Sequence, residues 1–343
     1  MTPSHAFDVV VVPDFSEPEV AGRFETLTLF FLASWLEFGG RSRELPLHIA
    51  AIGEVPESVR VLAGRCGARI TTHEPARLGA FANKLRGFEV DRQTDHVLLL
   101  DTDMLVLSDI QGLPASLGGG DCIAATPSLG PRRKGPELWR KIYEHLGLPF
   151  PEDQVIPLNR ELDTFQCADY RDWDHFTPYY LGALIYAPWA SRLGDTWRDH
   201  MARVFEIAPN IRGPGQKVSN QPSLATAIHA LRLRGVDLRM LPDEYRVHWQ
   251  HIATGTVSSR ETKLLHTAGF GRWSAKTADG TARQQIDIYL ANILRLTRSL
   301  RSHRGRLTRA AHILTRRPQI RDCHRIHAIL RRLYEGYVRE LKP

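Results

Sequence analysis

Strand-like and helix-like stretches alternate through the first hundred residues, and this alternation limits the fold more than any other property of the chain. Residues 7–12 are a short β-branched run closed by Pro13, a strand pattern. Residues 23–38 carry apolar side chains at helical spacing (Phe24, Leu27, Phe31, Trp35, Phe38) and stop at Gly39-Gly40. The same reading predicts a strand over 47–52, a helix over 56–66 ended by Gly67 and a strand over 68–72. A short helix over 81–88 and a fourth strand over 96–100 follow. Strand alternating with helix is the sequence form of an α/β doubly wound sheet, parallel when read from the alternation alone. Ligands of such sheets bind beyond the carboxyl ends of the strands.

Further strands are predicted over 121–125, 179–186, 238–241 and 264–266, and helices over 139–146, 190–205 and 220–233. Residues 130–137 read as a basic loop, and 147–170, interrupted by proline, as a long loop or lid. The chain thus divides into a body, 1–280, and a helical remainder, 281–343, broken near Pro318. The body itself is read as two halves, about 1–125 and about 126–280.

The charge balance separates these two parts. The 343 residues carry +7 overall. Residues 281–343 hold fifteen Arg and Lys against four Asp and Glu, which leaves the body acidic. With 24% charged and 43% apolar residues, wholesale disorder is excluded. No apolar run approaches the roughly 18 residues that span a bilayer. The N-terminus lacks the basic start of a secretory signal, and the four cysteines are scattered without a CxxC pair. Both features predict a cytoplasmic protein with reduced thiols.

Chemistry concentrates in two places. Leu98-Leu99-Leu100 delivers Asp101-Thr102-Asp103, two carboxylates two residues apart at a strand end. Paired carboxylates with a substrate diphosphate are a typical Mg²⁺ environment. The plainer alternative is two solvated acids in a turn. Another enzymatic alternative is a haloacid-dehalogenase-type phosphatase, in which Asp101 is the nucleophile and Asp103 the acid/base. Its motif normally lies on the first strand of the domain, and this one lies on the fourth. Far downstream, Leu264-Leu265-His266 precedes Thr267-Ala268-Gly269-Phe270-Gly271-Arg272-Trp273. A strand-end His can complete a metal site, glycines allow close approach to phosphate, and Arg272 can pair with phosphate oxygens.

Together the two segments resemble the GT-A nucleotide-sugar glycosyltransferases, in particular the glycogenin and lipopolysaccharide-galactosyltransferase-like family (family 8), over roughly residues 7–275. The resemblance implies a doubly wound mixed sheet, with 1–125 as a nucleotide-binding half and 126–280 as an acceptor half. It implies Mn²⁺ or Mg²⁺ held by Asp101, Asp103 and His266, with Gly269 and Arg272 on the diphosphate. Asn83 and Lys84 fall where the family has a basic residue near the nucleotide and donor sugar, and Thr102 lies within the metal motif. Residues 179–186 and 220–224 resemble two further family segments, with Ala183 in place of Gly and Asn220 in place of Asp. Gln221 is retained as the candidate contact to the donor sugar. Asp14 or Phe15 would begin the base pocket. The implied reaction moves a sugar from a nucleoside diphosphate sugar, a UDP-sugar by preference, to a glycan or lipid-linked acceptor. The stereochemistry stays open. An inverting reaction needs a carboxylate base, for which Asp169, Asp172, Asp243 and Glu244 are available.

Arginines recur along the last sixty residues with Leu294, Leu300, Leu307, Ile313, Ile326, Leu330 and Leu333 interleaved. Such a basic amphipathic stretch suits an anionic membrane surface, here the inner face of a membrane. The alternative is a pair of helices packed on the body with their Arg face solvated. No nucleic-acid fold signature accompanies the arginines, so no nucleic-acid partner is expected. A non-catalytic adaptor on the same fold is the remaining alternative.

Overall fold

A computed structural model of the chain describes residues 7–127, 135–151, 180–207, 220–248, 251–252, 257–267, 322, 325–326 and 328–341. Ten strands are described: β1 (Asp8–Val11), β2 (Leu47–Ile52), β3 (Arg69–His73), β4 (His96–Leu100), β5 (Met104–Val106), β6 (Cys122–Pro127), β7 (Tyr180–Pro188), β8 (Asp237–Met240), β9 (Val247–His248) and β10 (Leu264–His266). The helices are α1 (Pro18–Phe38), α2 (Glu57–Arg65), the single turn α3 (Leu113–Ser116), α4 (Gly135–His145), α5 (Leu193–Ile207) and α6 (Asn220–Leu233).

Seven strands form one sheet in the order β3-β2-β1-β4-β7-β6-β8. β7 runs antiparallel to both β4 and β6, and every other pair is parallel. The sheet is therefore mixed, as the family resemblance implies, whereas the bare alternation of strand and helix by itself predicts a parallel one. The apolar pattern of a strand reads the same in either direction, so the reversal of β7 leaves no mark in the sequence.

Strand alternation divides the core. On β4, Leu98 and Leu100 join a cluster with α1, whereas Val97 and Leu99 join a second cluster with α5 and α6. A 3₁₀ helix, Ala80–Phe88, lies on this second face. A Cβ at Gly87 would stand only 2.5 Å from Leu99 Cδ1, so glycine permits this close approach to the sheet.

Helix α1 starts at Pro18, earlier than its apolar spacing predicts, because proline's fixed φ suits the first helical turn. Every residue from Thr26 to Trp35 is buried. Burial all round a helix requires cover on more than one side. Here β5, α2 and the C-terminal helix all pack on α1. Buried Ser34 is satisfied at both ends of its hydroxyl: Oγ donates to Phe31 O and accepts from Val106 N–H of β5.

Residues 328–341 are helical, with a π-helical stretch over Tyr334–Val338. Ile326, Leu330, Leu333 and Val338 are buried in the α1 cluster. Tyr337 Oη donates to Glu37 Oε2 at 2.8 Å, and Arg332 pairs with the same carboxylate. The described part of the basic segment therefore turns its apolar face to the body, and Arg331, Arg332 and Arg339 are exposed. Residues 281–321 lie outside the described residues. Among the described residues, no helix is long and apolar enough to cross a membrane.

Candidate metal and diphosphate site

The site forms where the large sheet hands over to a second, three-stranded sheet of order β5-β10-β9. After Leu100 the ladder to β7 continues for one more bond, Asp101 N–H to Ala183 O at 2.8 Å. The chain then turns through Thr102 and Asp103, closed by Met104 N–H to Asp101 O, and leaves as β5. β10 pairs antiparallel with β5 in a register that sets His266 opposite Met104. Thr267 fixes that register beyond the strand end, its N–H and Oγ1 both donating to Asp103 O at 2.8 and 2.6 Å.

This pairing brings three predicted ligands together. Asp101, Asp103 and His266 each offer an atom within 4.8 Å of the other two. His266 Nε2 lies 3.2 Å from Asp103 Oδ1. That oxygen is buried, yet no donor is aligned on it for a hydrogen bond. The His266 ring beside it offsets its charge, and a bound cation would complete its coordination. Two carboxylates and an imidazole in one pocket are donors that suit a divalent ion of the Mg²⁺ or Mn²⁺ kind. The residues present therefore fit the group.

Cations already surround the acids. Lys84, on the 3₁₀ helix, pairs with Asp101 and donates from Nζ to Gly182 O of β7 at 2.6 Å. Burial by itself would raise the Asp103 carboxyl. The His266 imidazole outweighs it, helped by Lys84 and Arg23, and brings that carboxyl down to about 2. His266 is shifted the opposite way: burial works against its charge, but Asp103 and Asp101 raise it overall.

His248 was not anticipated from the sequence. It is the register partner of His266 on parallel β9, and the two rings meet edge to face with centroids 5.4 Å apart. Its backbone N–H donates to His251 Nδ1 at 3.0 Å. Burial, together with repulsion from His266 and His251, pushes the His248 imidazole down to about 3. A two-residue strand is too short for any pattern to betray it.

The other predicted residues are placed as follows. Asn83 is buried: Nδ2 donates to Asp14 Oδ2 and Oδ1 accepts from Ala76 N–H, both at 2.7 Å. Asp14 also accepts from Ser16 N–H and Oγ, so both its oxygens are engaged within the fold. Phe15 is buried in the α1 core. Thr102 is buried and borders a small space beside Leu27 and Phe30. Gln221 stands in the first turn of α6, which packs on β7 and α5. Asp243 and Glu244 line a separate cavity of about 580 Å³ with Ser108 and Lys263. That cavity lies toward the other end of β5 and β10 from His266, since Lys263 O accepts from Leu107 N–H. Gly269, Arg272, Asp169 and Asp172 lie outside the described residues.

Residues 20–232 match the family model of the Rhodobacterales glycosyltransferase domain. No curated protein matches the chain. Among solved structures it is similar to the galactosyltransferase LgtC in complex with donor and acceptor sugar analogues. The identity is 13%, with 82% of this chain and 95% of that one covered, at a TM-score of 0.46. It is also similar to mouse xyloside xylosyltransferase 1 in its apo form, at 10% identity, 77% and 98% coverage and a TM-score of 0.43.

Proposed function

The chain belongs to the family of Rhodobacterales glycosyltransferase domains, and from this membership we propose that it transfers a sugar from a nucleoside diphosphate sugar, by preference a UDP-sugar, to a glycan or lipid-linked hydroxyl. The observation that carries the reading is the convergence of Asp101, Asp103 and His266 on one spot at the carboxyl end of β4. That convergence does not rest on the family match, because His266 lies beyond the matched span. A phosphatase reading of the two acids is set aside, since the chain's family is a transferase family.

In the proposal, Asp101, Asp103 and His266 hold Mn²⁺ or Mg²⁺. The cation would supply Lewis-acid stabilisation for the diphosphate that departs as the sugar–phosphate bond breaks. Lys84 adds a fixed positive charge at the same edge, held in place by Gly182 O. Preorganised charge of this kind acts most where the leaving group becomes more negative, so it lowers the barrier rather than merely binding the ground state. Gly269 and Arg272 are proposed diphosphate contacts and Gln221 a proposed sugar contact. Asn83 and Asp14 act here by fixing the 3₁₀ helix to the end of β1, which sets where Lys84 begins its reach.

The test is calorimetric. Uridine diphosphate is titrated into the full chain with and without Mn²⁺, and again into Asp103→Ala. The reading expects binding that needs the ion and disappears in the variant. Unchanged binding by Asp103→Ala overturns it. The basic region, 281–343, is proposed to meet anionic surfaces electrostatically, through its arginines, rather than by insertion. Vesicle binding that persists undiminished in high salt would contradict that.

A further inference from the structure

We propose that Leu330, on the C-terminal helix, is a positioning residue for the Asp101–Asp103 turn: the last helix of the chain is the floor of the metal site. The inference rests on the metal reading above and adds to it a residue remote in sequence from every ligand.

Leu330 is 1% exposed and lines one small space with Leu27, Phe30, Thr102, Asp103 and Thr267. Two of these belong to the acidic turn, and Thr267 holds the backbone oxygen of Asp103. The turn thus has strand partners on one side, β7 through Asp101 and β10 through Thr267. Below, it has side-chain packing from α1 and from Leu330. The gap they line is partly open at its mouth and, at about 10 Å³, holds at most about one water. Its walls are largely apolar, so a water there would find few partners.

Two consequences follow for the ligands. With room for at most about one water beneath the turn, the field between Asp103 and His266 is weakly screened from that side. With the floor filled, the turn has no room to settle inward, so the carboxylate separation is set by packing as well as by hydrogen bonds. Shortening Leu330 would open the space, admit water under Asp103 and loosen the turn. The helix is held from outside the site by Arg332 and Tyr337 on Glu37. Its position therefore does not depend on the metal ligands themselves. This packing also gives the described end of the basic segment a role in the body that its charge alone does not suggest.

Mn²⁺ alone is titrated into the full-length protein, with binding read by calorimetry and fold by thermal melting. Leu330→Ala should weaken Mn²⁺ about tenfold and Leu330→Val by less, the range seen when outer partners of a metal site are lost. Leu330→Met, which keeps the volume, should bind as the parent does. Leu333→Ala removes an equally buried side chain of the same helix that does not line the space. It should lower the melting temperature comparably and leave Mn²⁺ affinity within about twofold, since a distant truncation is felt mainly as lost packing. Unaltered affinity in both Leu330→Ala and Leu330→Val, or equal losses in Leu330→Ala and Leu333→Ala, would overturn the proposal. Failure of the parent protein to bind Mn²⁺ would instead sink the metal reading, and the floor with it.

Discussion

His266 faces Asp103 across two short paired strands, Nε2 to Oδ1 at 3.2 Å, and Thr267 locks that pairing from the next position. The contact is a product of register: a slip of one residue between β5 and β10 would send the imidazole to the opposite face. His266→Gln should therefore keep the fold, as judged by circular dichroism, and reduce Mn²⁺ affinity by about a hundredfold, the scale of losing one of three protein ligands. Retention of parental affinity would show that the imidazole is not a ligand.

Lys84 carries a prediction of opposite signs. Its ammonium neutralises Asp101 and would repel a cation entering beside it, yet it attracts a diphosphate. Lys84→Gln should bind Mn²⁺ alone a few-fold more tightly, while uridine diphosphate in the presence of Mn²⁺ binds about tenfold more weakly, the worth of one charge-assisted hydrogen bond. Parallel changes in the two affinities would contradict this division of roles.

Asp8 tests the other end of the sheet. It is fully buried on β1 and accepts from Trp189 Nε1, Thr94 Oγ1 and two backbone N–H groups, with His48 Nε2 at 3.2 Å. Burial would raise its carboxyl, but these partners, His48 first, hold it below the ordinary value of 3.8. Its contribution is therefore present above that value and lost as the pH falls below it. Asp8→Ala should cost about 3–5 kcal/mol at pH 7 in urea denaturation, and less at pH 3, where the parent has begun to lose the same interactions.

His200 supplies an acid-side signature. It is buried between α5 and α6 with Nδ1 3.0 Å from Thr226 Oγ1, and burial depresses its imidazole to about 4. In the unfolded chain it takes up a proton near pH 6.5, whereas in the folded chain it stays neutral until about 4. Stability should then decline between those values by up to about 3 kcal/mol on its account. His200→Gln should flatten the slope of melting temperature against pH in that window. An unaltered slope would show that the decline arises elsewhere.

Much of this protein was legible in its residues. The strands 47–52, 96–100 and 264–266 and the helix 220–233 have the bounds that their apolar patterns predict. Burial makes those patterns, so burial can be read back from them. The Asp101/Asp103 pair announced itself because carboxylates directly after an apolar strand have no packing reason to be there. Other features left weaker marks. β9, two residues long, shows no period, and α1 looks like an ordinary amphipathic helix although it is covered all round its middle. The arginines of the last helix point to a solvated or lipid-facing surface, and only its packing reveals that Leu330 belongs to the core.

The sequence by itself determined the α/β class, the acidic strand end and the residue types able to hold a cation, because local periodicity and chemistry are properties of neighbours in the chain. The family resemblance implied a mixed sheet and the grouping of His266 with the acids; the tertiary structure decided which strand reverses, the register by which His266 reaches the acids, the pairing of Lys84 with Asp101 and the placing of the C-terminal helix beneath them. Each of these joins segments far apart in the chain, and such contacts are selected by the packing and hydrogen bonding of the whole fold, which no local window records.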